Sequence, residues 1–255
     1  MTLGGPIYCR QLVTLARNVD ASLLCSDYGP NRYERVGQRV GRREDWGDPG
    51  YLAQAARLPA RLRMQGVQIS KLVLLGVSYS GFANAELVAL HPELRPAALI
   101  VVDSYLDLTA RYDALPAGHE TQSEIESVLG GTPADEPAVY AARSPSHHLA
   151  GLAAAIRSGT TFVDVWSTAA EEQREFAGAT CSLSANAQWL ADLAGELGRP
   201  VDGYVTQLPH AHALWDRGQG LLALAGIRPA PRALDARRVT FRPGQPPPAD
   251  SYCRP

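Results

Sequence analysis

Residues Leu72-Val-Leu-Leu-Gly76-Val-Ser78-Tyr-Ser80-Gly81 hold the most informative spacing of side chains able to react. An apolar run stops at Gly76, and past the serines Phe82, Ala83, Leu87, Ala89 and Leu90 recur at helical spacing. A strand that turns this sharply into a helix crowds the positions two before and two after the residue at its apex, so both must be small. Gly76 and Ser80 meet that condition around Ser78. With Ser80 at the apex, Phe82 would fill a crowded position. A serine hydroxyl is a poor nucleophile unaided; it needs a histidine as general base and a carboxylate to orient that histidine. His210 and His212 stand in Leu208-Pro-His-Ala-His-Ala-Leu-Trp215, and Glu171, Glu172, Asp164 and Asp103 lie in or after apolar runs. The competing reading of a motif this short is a strand ending in a Gly/Ser turn.

The surrounding elements must bring these residues together. Residues 7–18 read as a helix with Leu12, Leu15 and Ala16 on one face, and 21–26 as a buried strand closed by Asp27-Tyr-Gly-Pro30. Residues 31–50 are polar and Arg-rich and read as a surface loop; 51–65 are helical in period. Strand 71–75, helix 80–90 stopped by His91-Pro92, and strand 97–102 follow. Residues 106–158 carry mixed helical signals and are expected to cover the pocket. Then come strand 160–166, a helix at 184–198, a last strand at 201–206 and a terminal helix at 213–226. From Arg228 the chain is rich in Pro and Arg and reads as an irregular tail. Strands with continuous apolar runs, alternating with helices, predict a parallel sheet covered on both faces.

Composition narrows the function. The 255 residues suit one large α/β domain, 1–227, followed by the tail 228–255. A formal charge of −2 gives no electrostatic basis for binding a polyanion. The basic residues are almost all Arg, Lys71 being the only Lys. No run reaches transmembrane length and no secretory signal is visible, which leans toward the cytoplasm but leaves localisation open. Cys9, Cys25, Cys181 and Cys253 permit two disulfides in three pairings, against a reading of Cys9 and Cys25 as buried thiols. His210-x-His212 has no neighbouring Cys or carboxylate cluster to complete a metal site, so neither metal nor cofactor is expected.

The order from residue 4 to about 226 resembles a serine α/β-hydrolase, with Ser78 on a nucleophile elbow. Gly4-Gly5-Pro6 resembles the end of the His-Gly-Gly-Pro oxyanion loop of prolyl-aminopeptidase-like enzymes and related esterases. Tyr140-Ala-Ala-Arg-Ser-Pro145 resembles a stretch that prolyl-oligopeptidase-type relatives carry before the acid strand. The resemblance implies the order Ser, acid, His. His212, followed by Ala-Leu-Trp, is then the favoured base and His210 the runner-up. Glu171, after the penultimate strand, is the favoured acid; Glu172 is one residue off, Asp164 lies inside the strand, and Asp103 is the less usual position. The Tyr79 amide and Gly5 would form the oxyanion hole. The chain reaches Gly4 after three residues, with Leu3 where the family has His. The resemblance therefore implies an N-terminally shortened α/β-hydrolase fold with a loosely held start. The implied function is hydrolysis of a small-molecule ester or related acyl compound through an acyl-serine. The alternatives are an aminopeptidase- or oligopeptidase-type peptidase, or a non-catalytic binding scaffold. Oligomeric state is left open.

Overall fold

Five strands form the centre of the protein: β5 (Val73–Val77), β6 (Ala98–Val102), β7 (Thr161–Ser167), β8 (Val201–Thr206) and β9 (Arg237–Phe241), hydrogen-bonded in that order. The computed structural model describes residues 1–3, 5–26, 32–33, 41–42, 46–167 and 183–248. β5 to β8 run parallel, and β9 closes the edge antiparallel to β8, pairing Val201 with Phe241 and Val205 with Arg237. The segment expected to be an irregular tail thus supplies a strand. Alternation within Arg-Arg-Val-Thr-Phe explains it: Val239 and Phe241 are buried while Arg237 and Arg238 are exposed, a half-buried edge strand that a search for continuous apolar runs misses.

Helices cover both faces of the sheet, as the alternation of elements predicts. On one face Leu74, Leu99, Val101 and Trp166 pack under α2 (Pro49–Ala56), α4 (Tyr79–Leu90), α8 (Leu149–Arg157) and α9 (Leu183–Leu197). On the other, Val77, Ile100, Val102 and Val165 pack under α1 (Gly5–Asn18), α10 (His212–Trp215) and α11 (Gly218–Leu224). Successive strand residues point to opposite faces, so a strand buried on both sides must be apolar throughout, as β6 is. Each such side chain taken from water contributes about 1.5–3 kcal/mol. α4 and α8 approach closely because Gly151 stands against the Ala89 carbonyl, where a Cβ would collide.

The remaining elements frame this core. α3 (Leu58–Met64) follows α2. A two-residue ladder joins β3 (Arg32–Tyr33) to β4 (Gly41–Arg42). Residues 106–158 hold α5 (Leu108–Asp113), α6 (Glu120–Leu129), α7 (Pro137–Ala142) and α8. The expected terminal helix is two short helices, α10 and α11, broken at Asp216-Arg217.

The first three residues are held on both sides, unlike the loose start expected. Met1 N donates to Val73 O at 2.6 Å, and Leu75 N donates to Met1 O at 3.0 Å. Thr2 and Leu3, as β1 (Thr2–Leu3), pair in parallel with β2 (Cys25–Ser26), and Thr2 N donates to Leu24 O. Cys25 is disulfide-bonded rather than a buried thiol.

Candidate active site

Ser78 joins β5 to α4 with φ 52° and ψ −127°, a backbone conformation that costs a non-glycine residue on the order of 1–3 kcal/mol. The surroundings over-determine it. Ser78 N donates to Val102 O at 2.9 Å, and Ser78 O accepts from Ser104 Oγ at 2.6 Å and from the amides of Gly81 and Phe82. A Cβ on Gly76 would lie 2.5 Å from the carbonyl carbon and oxygen of Ser80, so the small residue two before the apex is a packing necessity. Ser80, two after it, is fully buried. It uses its hydroxyl where a glycine would have none: Ser80 Oγ donates to Val77 O and accepts from Val77 N, both at 2.8 Å. Ser80 is thus part of the turn's internal bonding. Ser78 stays partly exposed at the tip of the sheet.

Asp103 follows β6 directly and sits beside this turn. Its φ of 49° takes the chain sharply out of the sheet, a conformation Asp tolerates better than most residues. The carboxylate is buried and held from three directions. Ser167 N donates to Oδ1 at 2.5 Å; Ser167 Oγ and Ala211 N donate to Oδ2 at 2.9 and 2.8 Å. His210 Nδ1 stands 3.8 Å from the same Oδ2, an ion-pair separation rather than a hydrogen bond. Catalytic contacts are often this loose before substrate binds.

His210 and His212 diverge because Ala211 between them has φ 64°. That left-handed residue aims its own amide and the His210 ring at Asp103. His212 faces away, its Nδ1 2.6 Å from Oδ2 of Asp216, the residue that ends the same short helix, and its ring 5.4 Å from that of Trp215. Both partners of that pair are largely exposed.

One cleft brings Ser78, Asp103 and His210 together. Among the described residues, Trp46, Tyr79, Phe82, Tyr105, Leu108, Arg111 and Trp166 also line it. Its void is about 20 Å³, roughly one water's worth of room. Aromatic edges interlock around it: Trp46 meets Tyr79 edge-on at 5.4 Å between centroids, and Tyr105 meets Trp166 at 5.9 Å. Beneath the cleft Asn186 of α9 ties three segments, donating from Nδ2 to Ser104 O at 2.9 Å and to Asp164 Oδ2 at 3.3 Å while Oδ1 accepts from Leu106 N. Burial pushes the Asp164 carboxyl up to about 7, against the pull of its hydrogen-bond donors. Asp164 itself does not line the cleft.

The sequence-level choices can now be placed. Ser78 is at the apex and the Tyr79 amide heads α4, where first-turn N–H groups point out of the helix end. His212, the favoured base, is not in the cleft; the runner-up His210 is. The spacing of His-x-His could not separate them, because the deciding variable is the φ of Ala211. Glu171 and Glu172 lie outside the described residues. Asp103, expected to be the less usual acid position, is the carboxylate that the fold sets beside a histidine; the Asp directly after a fully apolar strand was the signal for it. Gly5 opens α1, and the parallel run of residues 1–3 beside β5 brings it to the sheet edge that carries Ser78. Among the described residues no three His, Cys, Asp or Glu side chains gather as a metal site, and no helix is long and apolar enough to cross a membrane.

No protein-family profile matches the chain, and neither does any curated protein. The arrangement must therefore be read from its own geometry.

Proposed function

We propose that the chain is a serine hydrolase of the α/β-hydrolase kind that cleaves a carboxylic ester through an acyl-Ser78 intermediate. The observation that carries this reading is the convergence of a strained serine, a histidine and a buried carboxylate on one cleft, each at the C-terminal end of a different parallel strand. Structural serines need no such strain, and a buried carboxylate held by three donors beside an imidazole is the arrangement that orients a general base.

In this reading His210 takes the Ser78 hydroxyl proton as Oγ bonds to the ester carbonyl carbon. The carbonyl oxygen becomes an oxyanion facing the Tyr79 amide, with Gly5 proposed as the second donor. The intermediate collapses, the C–O bond to the alcohol breaks, and His210 returns its proton to the leaving oxygen. A water, deprotonated by the same imidazole, then releases the acid and restores Ser78. Asp103 offsets the positive charge that His210 carries between these steps. An oxyanion donor contributes on the order of 3 kcal/mol to such a barrier. The test is turnover of p-nitrophenyl acetate or butyrate. Ser78→Ala should abolish it with the fold intact, and retained activity would overturn the proposal.

A further inference from the structure

The cleft as it stands is too small for the acyl group of most esters. A void of about 20 Å³ has room for one water, or for the methyl of an acetyl group. A longer acyl chain bonded to Ser78 must displace part of the wall.

Much of that wall is set in regular elements. Tyr79 and Phe82 belong to α4, Leu108 and Arg111 to α5, and Trp166 to β7. Asp107 caps α5, its Oδ1 accepting from Ala110 N at 2.9 Å, and Leu108 N donates to Ser144 Oγ at 2.9 Å. Tyr105 stands edge-on to Trp166, with the Arg111 guanidinium carbon 5.3 Å from its ring centre.

Trp46 differs. It lies just before α2 with φ 45°, and Gly47 follows it with φ 78°. The side chain is buried, yet Nε1 has no hydrogen-bond partner among the described residues. Ring contacts hold the indole in place, with Tyr79 edge-on and the Phe82 centroid at 6.0 Å. The chain is anchored directly after it: Asp48 Oδ1 accepts from Tyr51 N at 2.9 Å, and Oδ2 lies 3.7 Å from Arg143 Nη2. The indole is thus an arm on two left-handed residues beside a fixed point. An unmade buried N–H and a non-glycine residue at positive φ both disfavour the inward position, while burial against Tyr79 and Phe82 favours it. Turned outward, the indole gives its N–H to water, and an acyl chain can take its place against the same two rings.

Resting on the ester-hydrolase reading above, we infer that Trp46 sets the acyl length: its indole occupies the space that an acyl chain longer than acetyl needs, and such a chain reaches Ser78 only by displacing it.

The test is kcat/KM for p-nitrophenyl acetate, butyrate and octanoate. In the native protein it should fall about tenfold or more from acetate to octanoate. Trp46→Ala should raise the octanoate-to-acetate ratio by about tenfold or more, and Trp46→Phe should lie between. Trp46→Phe keeps a ring against Tyr79 and Phe82, and carries the comparison if the alanine protein does not fold. A native preference for octanoate, or a ratio that neither variant moves, overturns the inference while leaving the hydrolase reading standing. If no ester is turned over, that reading fails and the inference is decided by binding. Octan-1-ol is then titrated into protein carrying 5-fluorotryptophan. Binding is read at the fluorine signal of Trp166, which lines the cleft and is assigned by its loss in Trp166→Phe. The alcohol should bind Trp46→Phe several-fold more tightly than the native protein. Equal binding, or no response at Trp166 in either protein, overturns the inference.

Discussion

His210 Nδ1 stands 3.8 Å from Asp103 Oδ2, and these two residues, 107 positions apart in sequence, meet because the loops after β6 and β8 leave the sheet at the same end. Ala211 makes the meeting specific by giving its amide to the same oxygen.

His210 and His212 should therefore behave oppositely. His210→Ala is expected to lower kcat on p-nitrophenyl butyrate by about 10³-fold or more, as removal of a general base does when it acts as a unit with its nucleophile. His212→Ala, which loses an exposed pair with Asp216 and a ring contact with Trp215, both away from the cleft, should stay within about threefold of the native rate, because exposed ion pairs contribute about 0–1 kcal/mol. The reverse order would return the base to His212.

Asp103→Asn keeps the shape but removes the charge that orients His210, and should cost about 10³- to 10⁴-fold in kcat. It should also lower stability, because the amide nitrogen that replaces one oxygen accepts no hydrogen bond and leaves the donors there without an acceptor. Glu171→Gln should leave the rate within severalfold. A large loss from Glu171→Gln with a mild one from Asp103→Asn would restore the sequence-level choice of acid.

The contrast between these residues shows what the sequence could and could not say. The turn at Ser78 was readable because steric crowding acts over two residues either way, a distance visible in sequence. The alternation of apolar strands with helices likewise announced a parallel sheet, since burial on two faces demands apolar residues at every strand position. The proposed base and acid were not readable in the same way. Which of two histidines enters the cleft depends on one backbone angle, at Ala211, and the choice of acid depends on which strand-end carboxylate the loop after β8 reaches, here Asp103 after β6, two strands away. Both are tertiary facts. β9 was missed because an edge strand needs only every second residue apolar.

The turn itself makes a stability prediction. Ser80→Ala removes both bonds to Val77 and leaves two buried backbone groups with one partner fewer, a loss of about 1–3 kcal/mol. Melting should fall by several degrees, at about 2–4 °C per kcal/mol for a chain near this size. Gly76→Ala should be far worse, since its Cβ would overlap the Ser80 backbone, and should yield no soluble folded protein. A Gly76→Ala protein with native melting would contradict this account of the turn.

Glu86 makes stability depend on pH. It is fully buried in α4, burial pushes its carboxyl up to about 8, and neither oxygen has a hydrogen-bond partner among the described residues. His148 Nε2 lies 3.4 Å away, but burial dominates. From the ordinary value of 4.5 up to about 8, the folded chain keeps a proton that the unfolded chain has lost. Stability is therefore greatest below that window and falls as pH rises through it, by up to about 1.4 kcal/mol per unit. Asp164, pushed up to about 7, slopes the same way. Glu86→Gln should raise the melting temperature more at pH 8.5 than at pH 5; an equal change at both would contradict the sign.

The most direct measurement is labelling with a fluorophosphonate, read by peptide mass spectrometry, since the reagent reports only an activated hydroxyl. Native protein and His212→Ala should both carry one label on Ser78, His210→Ala should lose most of it, and Ser78→Ala all of it. No label on the native protein, or a label on Ser80, would contradict the claim that this strained serine and His210 form a working nucleophile and base.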